Sequence, residues 1–171
     1  MLSRIQEIQL KNQIQRVLHV PGNYNGGPLE MAVVFDSALE KEDASAAGKQ
    51  IAAVLKSMGD TFRNVRLNLV LWNPEKIRHE ISAVPHLIMG NAFRALEHSE
   101  EIKILEELCG NLKLFQARSR IVILVTKESW EVNDAARLKE NLNPFLYRRM
   151  ILITESEVKP GISLLQKYPV S

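Results

Sequence analysis

"RIVILVTKESW", residues 120–130, passes from pure hydrocarbon to charge within a few residues. Ile121, Val122, Ile123, Leu124 and Val125 leave no polar side, the pattern of a strand buried on both faces. Thr126, Lys127, Glu128 and Ser129 then read as the loop that leaves it. A strand of this kind belongs to a parallel sheet covered by helices, and its carboxyl end faces the ligand side of such a sheet.

Working outward, "LEMAVVFD" (Leu29–Asp36) and "RMILIT" (residues 149–154) repeat the buried-strand pattern. Residues 41–59 read as a helix with Asp43 or Ser45 at its start, Ile51, Val54, Leu55 and Met58 as its stripe, and Gly59 at its end. "VRLNLVLW" and "IRHEISAV" flank "NPEK", whose proline suits the second position of a turn, and predict a hairpin over residues 65–84. Phe93, Leu96, Ile102, Leu105 and Leu108 suit helical packing, in two pieces divided near His98 and Ser99. A helix over 132–142 stops at Asn143 and Pro144, and residues 160–168 suggest a short closing helix.

Strands alternating with helices imply a three-layer α/β/α open sheet, Rossmann-like and mostly parallel, with the hairpin supplying one antiparallel edge strand. The expected organisation is an N-terminal helix or extension over 1–20, a Gly/Pro-rich linker over 21–28 ("PGNYNGGP"), and an α/β domain over 29–171. Ile5, Ile8, Ile14, Val17 and Leu18 are spaced nearer 3.6 than 2, although Ile8, Leu10 and Ile14 also fit a strand. A helix packed on the body or on a partner is the favoured reading, and its isoleucines suggest self-association.

Composition narrows the function classes. Net charge is +2 with the signs intermixed, so there is no polybasic footprint and no nucleic-acid partner is expected. No apolar run approaches the ~20 residues needed to cross a bilayer, and the first residues are too rich in Gln and Asn for a signal peptide. No membrane association and a cytoplasmic location are expected. Cys109 is alone, which excludes an intrachain disulfide. The four histidines, His19, His79, His86 and His98, form no metal-binding helical pair, and no Ser lies in a G-x-S-x-G elbow.

Four stretches carry a resemblance. "MAVVFDSALE" looks like the first strand and Asp-x-Ser-x-Ser loop of von Willebrand factor A-type domains, and "RLNLVLWNPEKIRHEI" resembles their second and third strands. "HLIMGNAFRALEHS" is similar to their threonine-containing loop, and "RIVILVTKES" to the strand that normally ends in Thr-Asp-Gly. The resemblance implies that fold, and with it a Mg²⁺-binding adhesion site built from hydroxyls and aspartates. Matched residue by residue, Asp36 keeps the first aspartate, Ala38 and Glu40 stand for the serines, and Asn91 for the threonine. Lys127 stands for the second aspartate and Glu128 for the glycine.

Alanine offers no oxygen to a cation that needs near-octahedral coordination at about 2.0–2.1 Å. The simplest reading is a degenerate site with no metal, in which the Lys127 ammonium pairs with Asp36. The others are a Lys127 pointing into solvent, and a rebuilt Mg²⁺ site from Asp36, Glu40, Asn91 and Glu128. The implied function is a non-enzymatic protein-interaction module, scaffold or adaptor, without a cofactor. Its binding rim would be Asp36, Ser37, Glu40, Asn91, Lys127, Glu128, Ser129 and Trp130. The alternative is a small α/β enzyme or regulator that takes an anionic metabolite or nucleotide at the same rim. Trp72 and Trp130 read either as covers of the sheet's rim or as a binding hot spot, which Tyr24, Phe145 and Tyr147 would extend.

Overall fold

A computed structural model describes residues 2–19, 29–62, 65–83, 87–88, 90–113, 119–142 and 148–168. The linker at 21–28, with Tyr24, lies outside them, as do His86, Phe145 and Tyr147.

The sheet grows from β1 (Leu29–Asp36), buried on both faces as its sequence demands. It pairs in parallel with β2 (Val65–Trp72) on one side and β5 (Ile121–Val125) on the other. β3 (Ile77–Ala83) folds back antiparallel on β2 through the expected turn, where Asn73 N–H donates to Lys76 O at 3.2 Å. Beyond β5 come β7 (Met150–Ile153), parallel, and β8 (Val158–Pro160), antiparallel. The six strands run β3-β2-β1-β5-β7-β8. Both edges are therefore antiparallel, where one such edge was expected. Residues 158–160 are too few to stand out by periodicity, and Pro160 is tolerated on an edge because no outer neighbour needs its missing N–H. The closing helix accordingly starts later, as α5 (Ile162–Lys167).

Helices cover both faces. α1 (Arg4–Leu18) and α2 (Lys41–Ser57) bury Leu10, Ile14, Val17, Ile51 and Leu55 against the side of Met31, Val33 and Phe35. α3 (Leu105–Leu112), α4 (Ala135–Leu142) and α5 pack on the side of Ala32 and Val34. The N-terminal segment is a helix, started by a reciprocal capping box between Ser3 and Gln6. Its buried stripe is Gln6, Leu10, Ile14 and Val17, whereas Ile5 and Ile8 point outward. α2 starts at Lys41 after Glu40, without a side-chain cap, so neither Asp43 nor Ser45 has that role.

The two helical pieces expected over 91–108 shrink to a 3-10 turn and the start of α3 (Leu105–Leu112), with extended chain between them. A short 3-10 turn, Gly90–Phe93, is followed by extended chain that pairs β4 (Lys103–Ile104) in parallel with β6 (Trp130–Glu131) before α3 begins. That small second sheet lies beyond the main one and brings Lys103 opposite Trp130. No helix among the described residues is long and apolar enough to cross a membrane.

Candidate functional site

Strand order reverses between β1 and β5, so their carboxyl ends form the crevice where open α/β sheets place ligands. Register fixes what meets there. Asp36 lies opposite Trp72 on one side, and one step beyond the Phe35–Val125 pair it reaches Thr126 on the other.

Asp36 is completely buried, and each carboxylate oxygen is occupied. Oδ2 accepts from Thr126 Oγ1 at 2.7 Å. Oδ1 accepts from the Ala38 N–H at 3.0 Å and meets Lys103 Nζ at 2.5 Å. Lys103 is itself only 4% exposed, and its ammonium lies 5.0 Å from the centre of the Trp72 ring. The ammonium approaches Asp36 as an ion pair rather than a well-aimed hydrogen bond and has no hydrogen-bond partner among the described residues. Trp130 packs 6.2 Å from Trp72 and donates its indole N–H to the Tyr168 hydroxyl at 2.9 Å. Neither charge would be tolerated here alone, since an unpaired buried ion costs several kcal/mol.

The expected partner of Asp36 was Lys127, and the structure gives that place to Lys103. Pleat parity supplies the reason. Asp36 and Thr126 fall on the face of Val34 and Leu124, and Lys127, one residue further, falls on the other. There Lys127 lines a cavity of about 250 Å³ with Gln6, Asp43, Thr126 and Glu155, between the strand ends and the starts of α1 and α2. One cation thus stands against two carboxylates.

The remaining rim residues are dispersed. Ser37 is fully buried; its N–H donates to Trp72 O at 3.1 Å, its carbonyl accepts from Ser99 N–H at 2.9 Å, and its hydroxyl has no partner among the described residues. Glu40 meets His98 Nε2 at 3.2 Å, while His98 Nδ1 lies 3.1 Å from Leu39 O. Asn91 is exposed on the 3-10 turn. Glu128 turns towards Lys159 at 3.3 Å and Lys167 at 3.5 Å. It holds φ +60, its N–H donating to Thr126 Oγ1 at 2.9 Å. Ser129 is half-buried and Trp130 buried. The part of the expected rim that reaches solvent is thus Glu40 and Asn91, which are exposed, and residues 127–129, which are half-buried.

Nor do these positions fit Mg²⁺. Asp36 contributes oxygens already committed to Lys103, Ala38 and Thr126, while Glu40 is engaged by the His98 ring and Glu128 by Lys159 and Lys167. No cluster of three or more His, Cys, Asp or Glu able to hold a metal occurs among the described residues. The rebuilt set of Asp36, Glu40, Asn91 and Glu128 does not converge.

Lys103 and Thr126 escaped the sequence reading as site residues. In "EIKIL" the isoleucines suggest the inward side, yet Ile102 is exposed and the lysine between them is buried. Thr126 shares parity with Leu124, and that signal was available. Away from the rim, Cys109 is buried in α3, and burial, then the charge of Glu106, pushes its thiol up to about 12. It stays a protonated packing group. Arg149, just ahead of β7 at the amino ends of the strands, is lowered by burial and then by the charge of Arg120.

No family model, curated protein or solved structure matches the chain.

Proposed function

We propose that the chain is a non-enzymatic protein-interaction module, of the von Willebrand factor A type, in which an internal lysine has replaced the divalent cation. The ion pair of Lys103 with Asp36 carries this reading. A tethered ammonium neutralises the carboxylate that the resemblance assigns to the metal, and Trp72 and Trp130 close over it. With the charge satisfied inside, both Asp36 oxygens are engaged by Lys103, Ala38 and Thr126 rather than offered to a ligand. The surface left for recognition is the polar rim of Glu40, Asn91, Lys127, Glu128 and Ser129.

Titration calorimetry of Mg²⁺ into the native chain tests this directly. The expected result is no binding heat at millimolar concentrations. Micromolar affinity that disappears in Asp36→Asn would overturn the reading. Lys127→Asp is also expected to gain no Mg²⁺ site, because that side chain lies across the sheet from Asp36.

A second reading, an enzyme or regulator for an anionic metabolite or nucleotide, draws on the cavity beside Lys127. Asp43 and Glu155 on its walls oppose an anion, so the charge balance favours the interaction module. A thermal-shift panel of nucleotides and sugar phosphates separates the two. Stabilisation lost in Lys127→Ala would favour the metabolite site, and a flat panel the module.

A further inference from the structure

Beside the rim, between α2 and the turn that ends in Phe93 and Arg94, runs an open groove of about 670 Å³. Gly48 makes it possible. A Cβ there would lie 2.9 Å from both Leu87 O and Phe93 Cζ, so only glycine lets this segment close on the helix. Phe93 turns inward and meets Phe35 edge-on at 4.7 Å. Arg94 stays on the outer wall. On the helix wall Lys41, Ser45 and Lys49 recur every four residues and share one face. Ser45, with Ala46, keeps the floor low between the two lysines. Lys41 Nζ donates to Arg94 O at 3.1 Å and ties the walls together.

The charge of this groove is not balanced. Among the described residues that line it, Lys41, Lys49 and Arg94 face Glu42 alone. The groove's net charge therefore equals that of the whole chain, +2, concentrated on four residues. Lys49 and Arg94 are exposed, and neither side chain forms an ion pair or hydrogen bond with another described residue.

We propose that this groove binds an extended acidic segment of a protein partner, whose carboxylates pair with Lys49 and Arg94. The proposal rests on the interaction-module reading and adds the chemistry of the partner. Residues 41–49 of a helix span about 12 Å at about 1.5 Å per residue. An extended chain advancing about 3.3 Å per residue covers that length with about four residues. A single-stranded nucleic acid would need an exposed aromatic platform for its bases. Phe93, the groove's aromatic residue, is 2% exposed and already engaged with Phe35.

A displayed library of random dodecapeptides, selected on the intact chain, provides the probe. Selected peptides are then synthesised with a fluorophore and measured by anisotropy. Expected are peptides with at least two carboxylates within about four residues, bound at least about tenfold more weakly by Lys49→Glu/Arg94→Glu. Glu42→Gln, which removes the opposing charge, should bind about twofold more tightly, a change that misfolding cannot mimic. All three sites are exposed, and unchanged melting temperatures verify the fold.

Selection of no peptide, or of peptides without acidic residues, overturns the proposal. So does equal binding by the double charge reversal, or a groove-dependent affinity for an oligo-dT probe instead. A peptide indifferent to the groove variants but lost in Lys127→Glu sinks the groove alone and leaves the interaction module standing. Magnesium calorimetry on the native chain tests that parent reading separately.

Discussion

Lys103 and Asp36 each stabilise the fold only while the other is present, since either charge left alone would be buried and unpaired. Lys103→Met keeps much of the side chain's volume but leaves a buried carboxylate whose remaining donors among the described residues are Ala38 and Thr126. Urea denaturation should show a loss of about 3–5 kcal/mol, the cost of an uncompensated internal charge. Lys103→Met with Asp36→Asn should recover most of that loss, since a neutral amide beside a thioether strands no charge. If the two substitutions simply add, the ion pair is not the interaction that holds the rim. Cys109 gives a pH signature at the same scale. Its folded thiol lies above the unfolded value of 9.0, at about 12. The protonated state is therefore favoured by folding: its contribution is complete below pH 9.0 and fades as pH rises towards 12. Relative to Cys109→Ala, the native chain should lose stability over that interval by up to about 1.4 kcal/mol per pH unit. Identical pH slopes in the two proteins would refute the assignment. Residue-level reading succeeded where burial follows hydrophobicity and failed where a lysine is buried and its isoleucine neighbour is not. Asp36 was legible as a strand-end carboxylate, but its partner was not, because Lys103 arrives from a loop that nothing local predicts.

At the scale of elements, α1 separates periodicity from burial. Isoleucines at positions 5, 8 and 14 look alike in the sequence, yet only Ile14 meets the sheet. The difference lies in Gln6, which the pattern reads as polar. It is buried because its amide donates to Thr154 O at 2.9 Å, rotating the inward stripe towards Leu10 and Val17. Ile14→Ala should cost about 2–5 kcal/mol, while Ile5→Ala and Ile8→Ala should stay within about 0.5 kcal/mol of the native chain. Comparable losses at all three would mean that α1 lies in another rotation. The loop after β5 makes a second test. Glu128 holds a left-handed backbone that costs a non-glycine residue about 1–2 kcal/mol. Its pairs with Lys159 and Lys167 are partly exposed and offset little of that. Glu128→Gly should therefore be about 1 kcal/mol more stable than Glu128→Ala in thermal unfolding, since both lose the ion pairs and only glycine relieves the backbone. The long strands and α2 were legible because each carries a continuous signal over many residues. The two-residue strands β4 and β6 were not, because pairing that short is set by distant packing.

Across the whole molecule, strand order determines which parts depend on which. β1 and β5 each have parallel neighbours on both sides and cover on both faces, whereas β8 has one strand neighbour and three residues. What lies along the free side of β8 is α1, joined to it by the bond from Val158 N–H to Gln9 Oε1 at 3.2 Å. The other end of α1 is held by a reciprocal pair, in which Leu2 N–H donates to Gln50 Oε1 at 2.7 Å and Gln50 Nε2 to Leu2 O at 2.8 Å. The three-layer order was readable from alternating strands and helices. The joining of the first helix to the last strand was not, because it spans nearly the full chain and no local pattern encodes it. This coupling sets the hierarchy of opening, because a unit with few partners separates before a central strand does. In hydrogen exchange followed by mass spectrometry, α1 and β8 should exchange together and well ahead of Val33, Val34, Ile123 and Leu124. Ile14→Ala should then speed exchange in β8 as much as in α1, though the substitution lies outside β8 itself. Exchange in β8 that ignores this substitution would show that the helix and the edge strand open independently, and that the sheet ends at β8 without the cover of α1.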